Sequence, residues 1–290
     1  MENIATAVLA LTQFLTLKNY SKATLRCYTT ALKLFLEWRF KNGFGGSNFD
    51  EFQVKNYLLF RYDKGLKWQS INGDYSAIMH YYVDVLKIEW KAKNLPRPRQ
   101  EYSLPRIVSK ATINALINGA SNLKHQAFMS LLYGTGIRLN EALALKVNDI
   151  DGDRKQLLIV KGKGAKDRYV DIPDCLLNLL RHYYKHYRPH LYLFNGAIKT
   201  EPYSATSAQH LIKKAAKKVN LVKKVSPHVF RHCYATHHIE SGTDLIYIQK
   251  QLGHKHLKTT AKYIHLIKEY SCRVNHPIAS MQIKYNQQIR

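Results

Sequence analysis

Three prolines between residues 94 and 106 interrupt the chain and limit how its helices can continue. The segment reads Asn-Leu-Pro-Arg-Pro-Arg-Gln-Glu-Tyr-Ser-Leu-Pro-Arg. Proline fixes φ and lacks a backbone N–H, so this segment cannot be one continuous helix and favours an extended linker. We therefore predict two domains, at residues 1–93 and 107–290, joined by a linker at 94–106. A chain of 290 residues is long enough to give each domain its own core.

Apolar residues before the linker recur at the spacing of amphipathic helices. The N-terminal segment contains Glu2 and no cationic run, so its apolar residues predict a helix and not a signal peptide. Ser21 and Asp50 are placed to cap the second and third helices. The predicted inner faces, interpreted as ordinary core, contain Ile4, Val8, Leu11 and Leu15, then Leu25, Tyr28, Leu32 and Phe35, and finally Ile71, Tyr75, Ile78, Tyr82 and Val85.

The sequence after the linker mixes helices with a short β-hairpin. Two apolar runs, at 156–160 and 169–172, flank a basic turn that contains glycine, which predicts a hairpin. Pro227 suits the first turn of a helix, with Ser226 as its cap. The other helices are predicted to begin near Ser109, Leu123, Cys175, Ser204, Asp244 and His256. The expected fold class is therefore mainly α with a small β-sheet.

The charge of the chain indicates a polyanionic partner. It contains 45 lysines and arginines against 20 aspartates and glutamates, a formal net charge of +25. This excess is greater than solubility requires and favours nucleic acid. A ribosomal or membrane-surface protein is also basic, so the charge alone leaves those classes open.

Cysteine usage and hydropathy indicate an intracellular protein. The four cysteines are scattered without a C-x-x-C pair and are expected to be reduced thiols. No apolar run approaches the length of a membrane span, so we expect a soluble, cytoplasmic protein. His228 and His232 lie four residues apart, but the chain has no H-E-x-x-H motif. We therefore expect no metal site and no cofactor.

Five residues in separate motifs have the chemistry needed to act on a phosphodiester. Arg138 lies in Gly-Thr-Gly-Ile-Arg, His228 and Arg231 in Pro-His-Val-Phe-Arg, His254 in Leu-Gly-His, and Tyr263 nine positions further on. Arginines hold phosphate bidentately, histidines transfer protons, and a tyrosine oxygen can attack phosphorus. Taken alone, His228 with Arg231 is better explained as a surface pair, and so is Arg138 with a nearby acidic residue. Only the combined presence of the motifs favours an active site.

Two further features support the same site. Glu141 follows Arg138 by three residues, so on a helix its carboxylate can hold the guanidinium in place. The predicted hairpin turn contains Lys161, Lys163 and Lys166. A lysine at such a tip can enter the minor groove, although a solvated charged turn explains the same residues, and the sequence leaves the choice of lysine open.

These motifs, in this order, make the sequence similar to the tyrosine recombinase (phage integrase) family, particularly its compact integrase and Xer-like members. The matching stretches are Thr-Gly-Ile-Arg-Leu-Asn-Glu, Gly-Lys-Gly-Ala-Lys-Asp-Arg, His-Val-Phe-Arg-His, Leu-Gly-His and Thr-Thr-Ala-Lys-Tyr-Ile-His. The resemblance covers nearly the whole chain up to Tyr263. It implies a helical, SAM-like core-binding domain followed by an α+β catalytic domain.

The resemblance also implies the role of each site residue. Arg138 and Arg231 would clamp the phosphate and Tyr263 would be the nucleophile, with His228 as a plausible acceptor of its proton. Lys163 would protonate the departing 5′-oxygen, His254 would hydrogen-bond the phosphate, and Glu141 would support the first arginine. The product would be a 3′-phosphotyrosyl bond, formed without ATP or a metal.

The implied partners are double-stranded DNA and further copies of this chain, as a tetramer on two DNA sites and without a membrane. Arg97 and Arg99 in the linker are expected to contact DNA, although a plain charged linker explains them equally well. Lys213, Lys214 and Lys217, in the helix after Ser204, are also expected to contact DNA, and a solvated helical face is an equal alternative for them. Two departures from the family are visible. Asn140 replaces a common serine, and Cys-Arg-Val-Asn-His-Pro at 272–277 is expected to break a tail helix.

Three functions fit these residues. The leading one is a site-specific recombinase acting in integration, excision or resolution. The second is a nickase similar to type IB topoisomerases, which rejoins the strand that it cut. The third is a DNA-binding architectural protein whose catalytic set is inert. The complete set of catalytic residue types disfavours this third function.

Overall fold

The computed structural model describes residues 3–44, 50–90, 95, 105–160 and 167–266. The chain divides into two compact units, Met1–Ser103 and Leu104–Arg290. The break between them lies within the segment predicted to be the linker, and the predicted domain limits at 93 and 107 stay predictions. Both units are mainly helical, and the second contains a small antiparallel sheet, which confirms the predicted fold class.

Four α-helices form the described part of the first unit. Ser21 and Asp50 cap two of them as predicted, because their side chains accept hydrogen bonds from the backbone N–H groups of Thr24 and Gln53. The helices are α1 at Ile4–Leu17, α2 at Lys22–Lys41, α3 at Glu51–Asp63 and α4 at Trp68–Met79.

The end of α4 differs from the predicted regular helix. Residues His80–Val85 continue it as a π-helical turn, in which Tyr81 and Tyr82 are both buried. The wider turn of a π-helix changes the angle between successive side chains. The four-three periodicity predicted Tyr82 on the inner face and did not predict Tyr81.

The core of the first unit contains a buried polar link as well as apolar side chains. Phe35 packs edge-on against Tyr57 and Tyr82, with ring centroids 5.1 and 6.3 Å away. Beside them, the buried Arg39 guanidinium donates to Gln53 Oε1 over 2.7 Å and to the Tyr82 hydroxyl over 3.0 Å. Because a buried charge requires hydrogen-bond partners, this link fixes α2 against α3 and the π-helical turn.

The second unit begins with three helices that lead into the sheet. Pro227 begins a later helix and Ser226 is its N-cap residue, as predicted, but the Ser226 side chain makes no capping hydrogen bond. The elements are α5 at Lys110–Asn118, α6 at Leu123–Thr135, α7 at Leu139–Ala144, β1 at Ile150–Asp151, β2 at Gln156–Ile159, β3 at Arg168–Asp171, α8 at Asp174–Tyr187, α9 at Ala205–Lys218, α10 at Pro227–Glu240, α11 at Leu245–Leu252 and α12 at Leu257–Ala261.

The sheet has the order β1-β2-β3 and is antiparallel. β2 and β3 pair as the predicted hairpin, with Gln156 opposite Asp171 and Ile159 opposite Arg168. The turn residues at 161–166 lie outside the described residues. β1 is only two residues long and was not predicted from the sequence.

Three of the four cysteines lie in the described residues. Cys27 and Cys175 are exposed free thiols and Cys233 is a buried one, while Cys272 lies outside the described part. Within the described ranges, no helix combines the length and apolar character required to cross a membrane.

Truncation of Phe128, in the core of the second unit, should lower the stability of the protein. Phe128 on α6 is fully buried and packs edge-on against Phe194 and Tyr203, at centroid distances of 5.1 and 5.7 Å. We expect Phe128→Ala to lower the free energy of unfolding by about 3–5 kcal/mol, because it removes apolar contacts and leaves a cavity. Denaturant unfolding followed by circular dichroism measures this change.

The control is Ile198→Ala, which truncates a side chain that is 58% exposed in the same unit. Its effect should stay within about 0.5 kcal/mol. Equal losses for the two variants would contradict the described packing around Phe128.

Candidate active site

A glycine turn after α6 sets the position of Arg138. Gly136 has φ +61°, and a Cβ at this residue would lie 2.5 Å from the Tyr234 ring. Glycine is therefore required both for the left-handed backbone and for the close approach of α10. The turn brings Arg138 to the N-terminal end of α7 and leaves the Gly136 carbonyl free to accept a hydrogen bond from α10.

Glu141 binds two arginines from different parts of the chain. Its carboxylate accepts from the Arg138 Nη1 over 2.9 Å, and from both Nη atoms of Arg168 over 3.0 and 2.8 Å. It also accepts from the Arg138 backbone N–H over 2.8 Å. Burial opposes ionisation, but these hydrogen bonds and charges hold the pKa of Glu141 at about 2. The ionised carboxylate thereby fixes the first predicted phosphate-binding arginine.

The second predicted arginine, Arg231, is held by backbone carbonyls. Its Nη1 donates to the Gly136 carbonyl and its Nη2 to the Leu252 carbonyl, each over 2.7 Å. Only 5% of the residue is exposed. Burial, with a smaller contribution from Arg138, lowers the pKa of Arg231 to about 10. The guanidinium is therefore still charged at neutral pH, and its orientation is set by the fold.

A second glycine places His254 beside Arg231. Gly253 ends α11 with φ +63°, and a Cβ there would lie 2.8 Å from Nε of Arg168. The turn brings His254 Nε2 within 3.0 Å of Arg231 Nη2, while Nδ1 lies 2.8 Å from the Thr260 hydroxyl. Arginine can only donate, so Nε2 of His254 is the acceptor and Nδ1 holds the hydrogen of the neutral ring.

Tyr263 follows α12 and is 6% exposed. Its ring lies nearly parallel to that of His254, with centroids 6.4 Å apart and an interplanar angle of 10°. Its hydroxyl oxygen lies 3.0 Å from His232 Nδ1. Burial raises the pKa of Tyr263, and the charges of Arg231 and Arg138 act in the opposite direction.

His228 lies on the first turn of α10 and is exposed. Its ring centroid is 6.5 Å from that of His232, one helical turn further along. Partial desolvation of the ring, followed by the charges of Arg231 and Arg138, lowers the pKa of His228. This side chain is therefore neutral at pH 7 and faces the same site as the two arginines.

The structure brings most of the predicted site residues together. We call the set Arg138, Glu141, Arg168, Arg231, His232, His254 and Tyr263 the central cluster, with His228 at its exposed edge. Lys163, Arg97 and Arg99 lie outside the described residues. Lys213, Lys214 and Lys217 are exposed on α9, which packs against α5 and α7, and they are not members of the central cluster.

Sequence reasoning missed the roles of Arg168 and His232. Arg168 was visible only as one charge in a basic run, and no local pattern predicts its pairing with Glu141, which precedes it by 27 residues. His232 had a usable signal, because it lies four residues after His228 and so shares its helix face. In the part of the chain that the structure describes, no group of three His, Cys, Asp or Glu side chains could hold a metal ion.

The central cluster concentrates positive charge around one phenol. Arg138, Arg168 and Arg231 are balanced locally by the single carboxylate of Glu141, which leaves an excess suited to an anion. The phenol oxygen has a histidine nitrogen in contact. Such a site can bind an anionic ester and supply an attacking oxygen to it.

The sequence is similar to those of known integrases and recombinases. Residues 106–269 match the phage integrase family, and residues 8–92 match the phage integrase N-terminal SAM-like domain. The chain is 34% identical over 226 residues to a putative integrase/recombinase y4qK of Sinorhizobium fredii, covering 77% of this chain and 73% of the relative. It is 32% identical over 253 residues to the tyrosine recombinase XerA of Pyrococcus horikoshii, covering 86% and 85%.

The fold is also that of solved recombinases. A structure of the XerH site-specific recombinase, bound to a palindromic difH substrate in a post-cleavage complex, superposes with a TM-score of 0.70. It is 23% identical, and the match covers 87% of this chain and 78% of that one. The family match spans more than half of the chain and agrees with the relatives and with the fold. The chain therefore belongs to the phage integrase family of tyrosine recombinases.

Proposed function

We propose that this chain cleaves and rejoins DNA strands at specific sites through a covalent bond between Tyr263 and a 3′-phosphate. The observation that carries the proposal is the position of the Tyr263 phenol in the central cluster, where its ring lies beside that of His254, which is bonded to Arg231. These groups come from α7, α10 and the segment after α12. The proposal covers integration, excision and resolution alike, because each uses the same exchange of strands.

The two arginines would stabilise the charge that develops on the attacked phosphate. Attack on phosphorus concentrates negative charge on the non-bridging oxygens, and the guanidinium groups are permanently protonated donors. Arg231 is oriented by two carbonyls and Arg138 by Glu141. Because the protein has already ordered these donors, each is expected to contribute about 2.7–4 kcal/mol to transition-state stabilisation.

The proposed reaction exchanges one phosphoester for another. The Tyr263 oxygen bonds to phosphorus, and the bond from phosphorus to the 5′-oxygen breaks. Lys163 is the proposed donor of a proton to the departing 5′-oxygen. Because the energy of the phosphoester is kept in the tyrosyl bond, rejoining requires no ATP. In the described geometry His254 Nε2 accepts from Arg231, so it can donate to a phosphate only after that bond is exchanged.

Double-stranded DNA is the proposed partner, engaged by a homotetramer on two sites. The net charge of +25 supports a polyanion, and the XerH neighbour was solved with a DNA substrate. Lys213, Lys214 and Lys217 on α9 and Arg97 and Arg99 in the predicted linker are the proposed backbone contacts. Phosphate contacts of this kind supply affinity that falls with salt.

Replacement of the nucleophile tests the proposal directly. We expect Tyr263→Phe to abolish covalent protein–DNA adducts, since it removes the attacking oxygen. Non-covalent DNA binding should stay unchanged. The measurement uses sheared genomic DNA of the encoding organism, carrying nicks that trap the cleaved state. Adducts are collected after denaturation, and sequencing of the attached strands identifies the site.

The matched control is Tyr234→Phe. It removes a hydroxyl from a tyrosine that is buried like Tyr263 but contacts the His238 ring, at a centroid distance of 4.3 Å, and is not a member of the central cluster. It should form adducts as the wild-type protein does. Adducts that persist in Tyr263→Phe would refute the proposal. Strand exchange between two duplexes carrying the recovered site then separates recombination from simple relaxation.

Glu141 provides a second test, because it holds Arg138 in place. We expect Glu141→Gln to slow adduct formation by about ten- to hundredfold, since charged hydrogen bonds contribute about 1.5–3 kcal/mol. Initial rates on the recovered site measure the effect. Asp174→Asn, which removes a carboxylate that is 68% exposed and paired with Lys155, should leave the rate unchanged.

The same variant has a defined pH signature in stability. The pKa of Glu141 is depressed to about 2, so the stability from its ionisation is complete above about pH 4.5 and is lost as the pH falls towards 2. The difference in unfolding free energy between wild type and Glu141→Gln should therefore be constant above pH 4.5 and shrink below it. A difference that grows on acidification would contradict the described ion pairs.

The exposed lysines of α9 predict a change in salt dependence. Each of Lys213→Gln and Lys217→Gln should reduce the slope of log affinity against log salt by about 0.9, the value for one lost phosphate contact. Fluorescence anisotropy on the recovered site measures the slope. Lys155→Gln serves as the control, because Lys155 pairs with Asp174 at the surface. Unchanged slopes for both α9 variants would show that this face points to solvent.

A further inference from the structure

The phenol of Tyr263 has a direct hydrogen-bond partner, His232, that was not predicted from the sequence. Its oxygen lies 3.0 Å from His232 Nδ1, and the two ring centroids are 5.6 Å apart. Among the described residues this is the only hydrogen bond of the phenol. The contact joins the second turn of α10 to the segment after α12, and both partners are mostly shielded from solvent.

A tyrosine that attacks phosphorus must release its proton to an acceptor. Burial favours the neutral phenol at this position, and Arg231 and Arg138 only partly oppose it. An acceptor must lie within about 2.6–3.2 Å of the phenol oxygen, either directly or through one water. The contact with His232 Nδ1 meets this requirement without any rearrangement of the protein.

The other groups of the site are not placed to accept this proton. Arg138 and Arg231 are permanently protonated and have no acceptor atom. Both ring nitrogens of His254 are engaged, Nε2 by Arg231 and Nδ1 by Thr260. His228, which the sequence suggested, is exposed and contacts the ring of His232 but, within the described part of the chain, not the phenol.

His232 is neutral and so has a free lone pair. Burial, then His228 and Arg231, lowers the pKa of His232 to about 4. The groups that face it are the His228 ring on the same helix, the adjacent Arg231 and the Tyr263 phenol. A bound phosphodiester would bring negative charge beside Arg231 and so favour the protonated imidazole of His232. The basicity of His232 should therefore increase when substrate is present.

We propose that His232 is a catalytic residue that accepts the proton of Tyr263 during cleavage and returns it during rejoining. In this role Nδ1 has the lone pair and Nε2 has the hydrogen. As the phenol oxygen bonds to phosphorus, its proton moves to Nδ1, while the bond from phosphorus to the 5′-oxygen breaks and that oxygen takes a proton from Lys163. In the reverse step the imidazolium protonates the departing phenolate. This inference rests on the proposed function.

The decisive substitution is His232→Asn. The asparagine amide can occupy the position of Nδ1 and keep a hydrogen bond to the phenol, but it cannot accept a proton. General-base catalysis contributes about 10²–10⁴-fold, so adduct formation on the recovered site should fall on the order of 100-fold or more. The affinity of non-covalent DNA binding should not change. A rate close to that of the wild-type protein would overturn the proposal, because hydrogen bonding alone would then be sufficient.

A more acidic phenol should replace the missing base. We expect 3-fluorotyrosine at position 263 to raise the rate of His232→Asn by a larger factor than it changes the rate of the protein that keeps His232. In His228→Asn the same substitution should give no comparable rescue. Rescue confined to His228→Asn would assign proton transfer to that histidine and overturn the role of His232.

His238→Asn controls for loss of an imidazole from α10. His238 is half-buried, bonds to the Thr243 hydroxyl over 3.1 Å and lies outside the central cluster. It should cleave at the wild-type rate. Melting temperatures of the asparagine variants show whether each one folds, and a His232→Asn protein that is folded and slow supports the proposal.

A measurement without DNA separates this inference from the proposed function. Nitrogen-15 spectra of the full chain should show His232 Nδ1 as an unprotonated acceptor whose signal moves in Tyr263→Phe. A protonated Nδ1 would overturn the role of His232. Adducts missing from the wild-type protein would overturn the proposed function, whereas adducts formed equally fast by wild type and His232→Asn would overturn the role of His232 alone.

Discussion

The buried guanidinium of Arg231 joins the three segments on which the site depends. It lies on α10 and donates to the carbonyls of Gly136, just past the end of α6, and of Leu252, the last residue of α11. Carbonyls at the C-terminal ends of helices lack partners within the helix and carry partial negative charge. Two such ends can therefore stabilise one buried cation. The same contacts fix the turn before Arg138 and the turn that holds His254.

The charge balance of the central cluster explains why it is prepared for an anion. Three arginines surround one carboxylate. Glu141 stays ionised because its hydrogen bonds to two of them, Arg138 and Arg168, outweigh its burial. The remaining positive charge surrounds a phenol whose own burial opposes ionisation. The negative charge of a bound phosphodiester would neutralise this excess positive charge. The fold thus assembles the charge before substrate arrives, which avoids reorganisation during the reaction.

Helix limits and motif residues could be predicted because they depend on local chemistry. Ser21, Asp50 and Ser109 cap the helices that they were predicted to cap, and Pro227 begins α10. The π-helical turn at His80–Val85 could not be predicted, because the packing of Tyr81 and Tyr82 in the core decides it. β1 was missed for a similar reason: its two residues are ordered only by pairing with β2.

The sequence by itself determined the two-part organisation and the residue types of the site, and its charge indicated a polyanionic partner. Composition, proline positions and motif order express these properties without long-range contacts. Only the tertiary structure decided that Arg168 pairs with Glu141 and that His232, not His228, contacts the Tyr263 hydroxyl. A hydrogen bond requires its atoms to lie within about 3 Å. Distances on that scale between distant residues are set by how α10, α11 and the sheet pack together, and no local pattern encodes them.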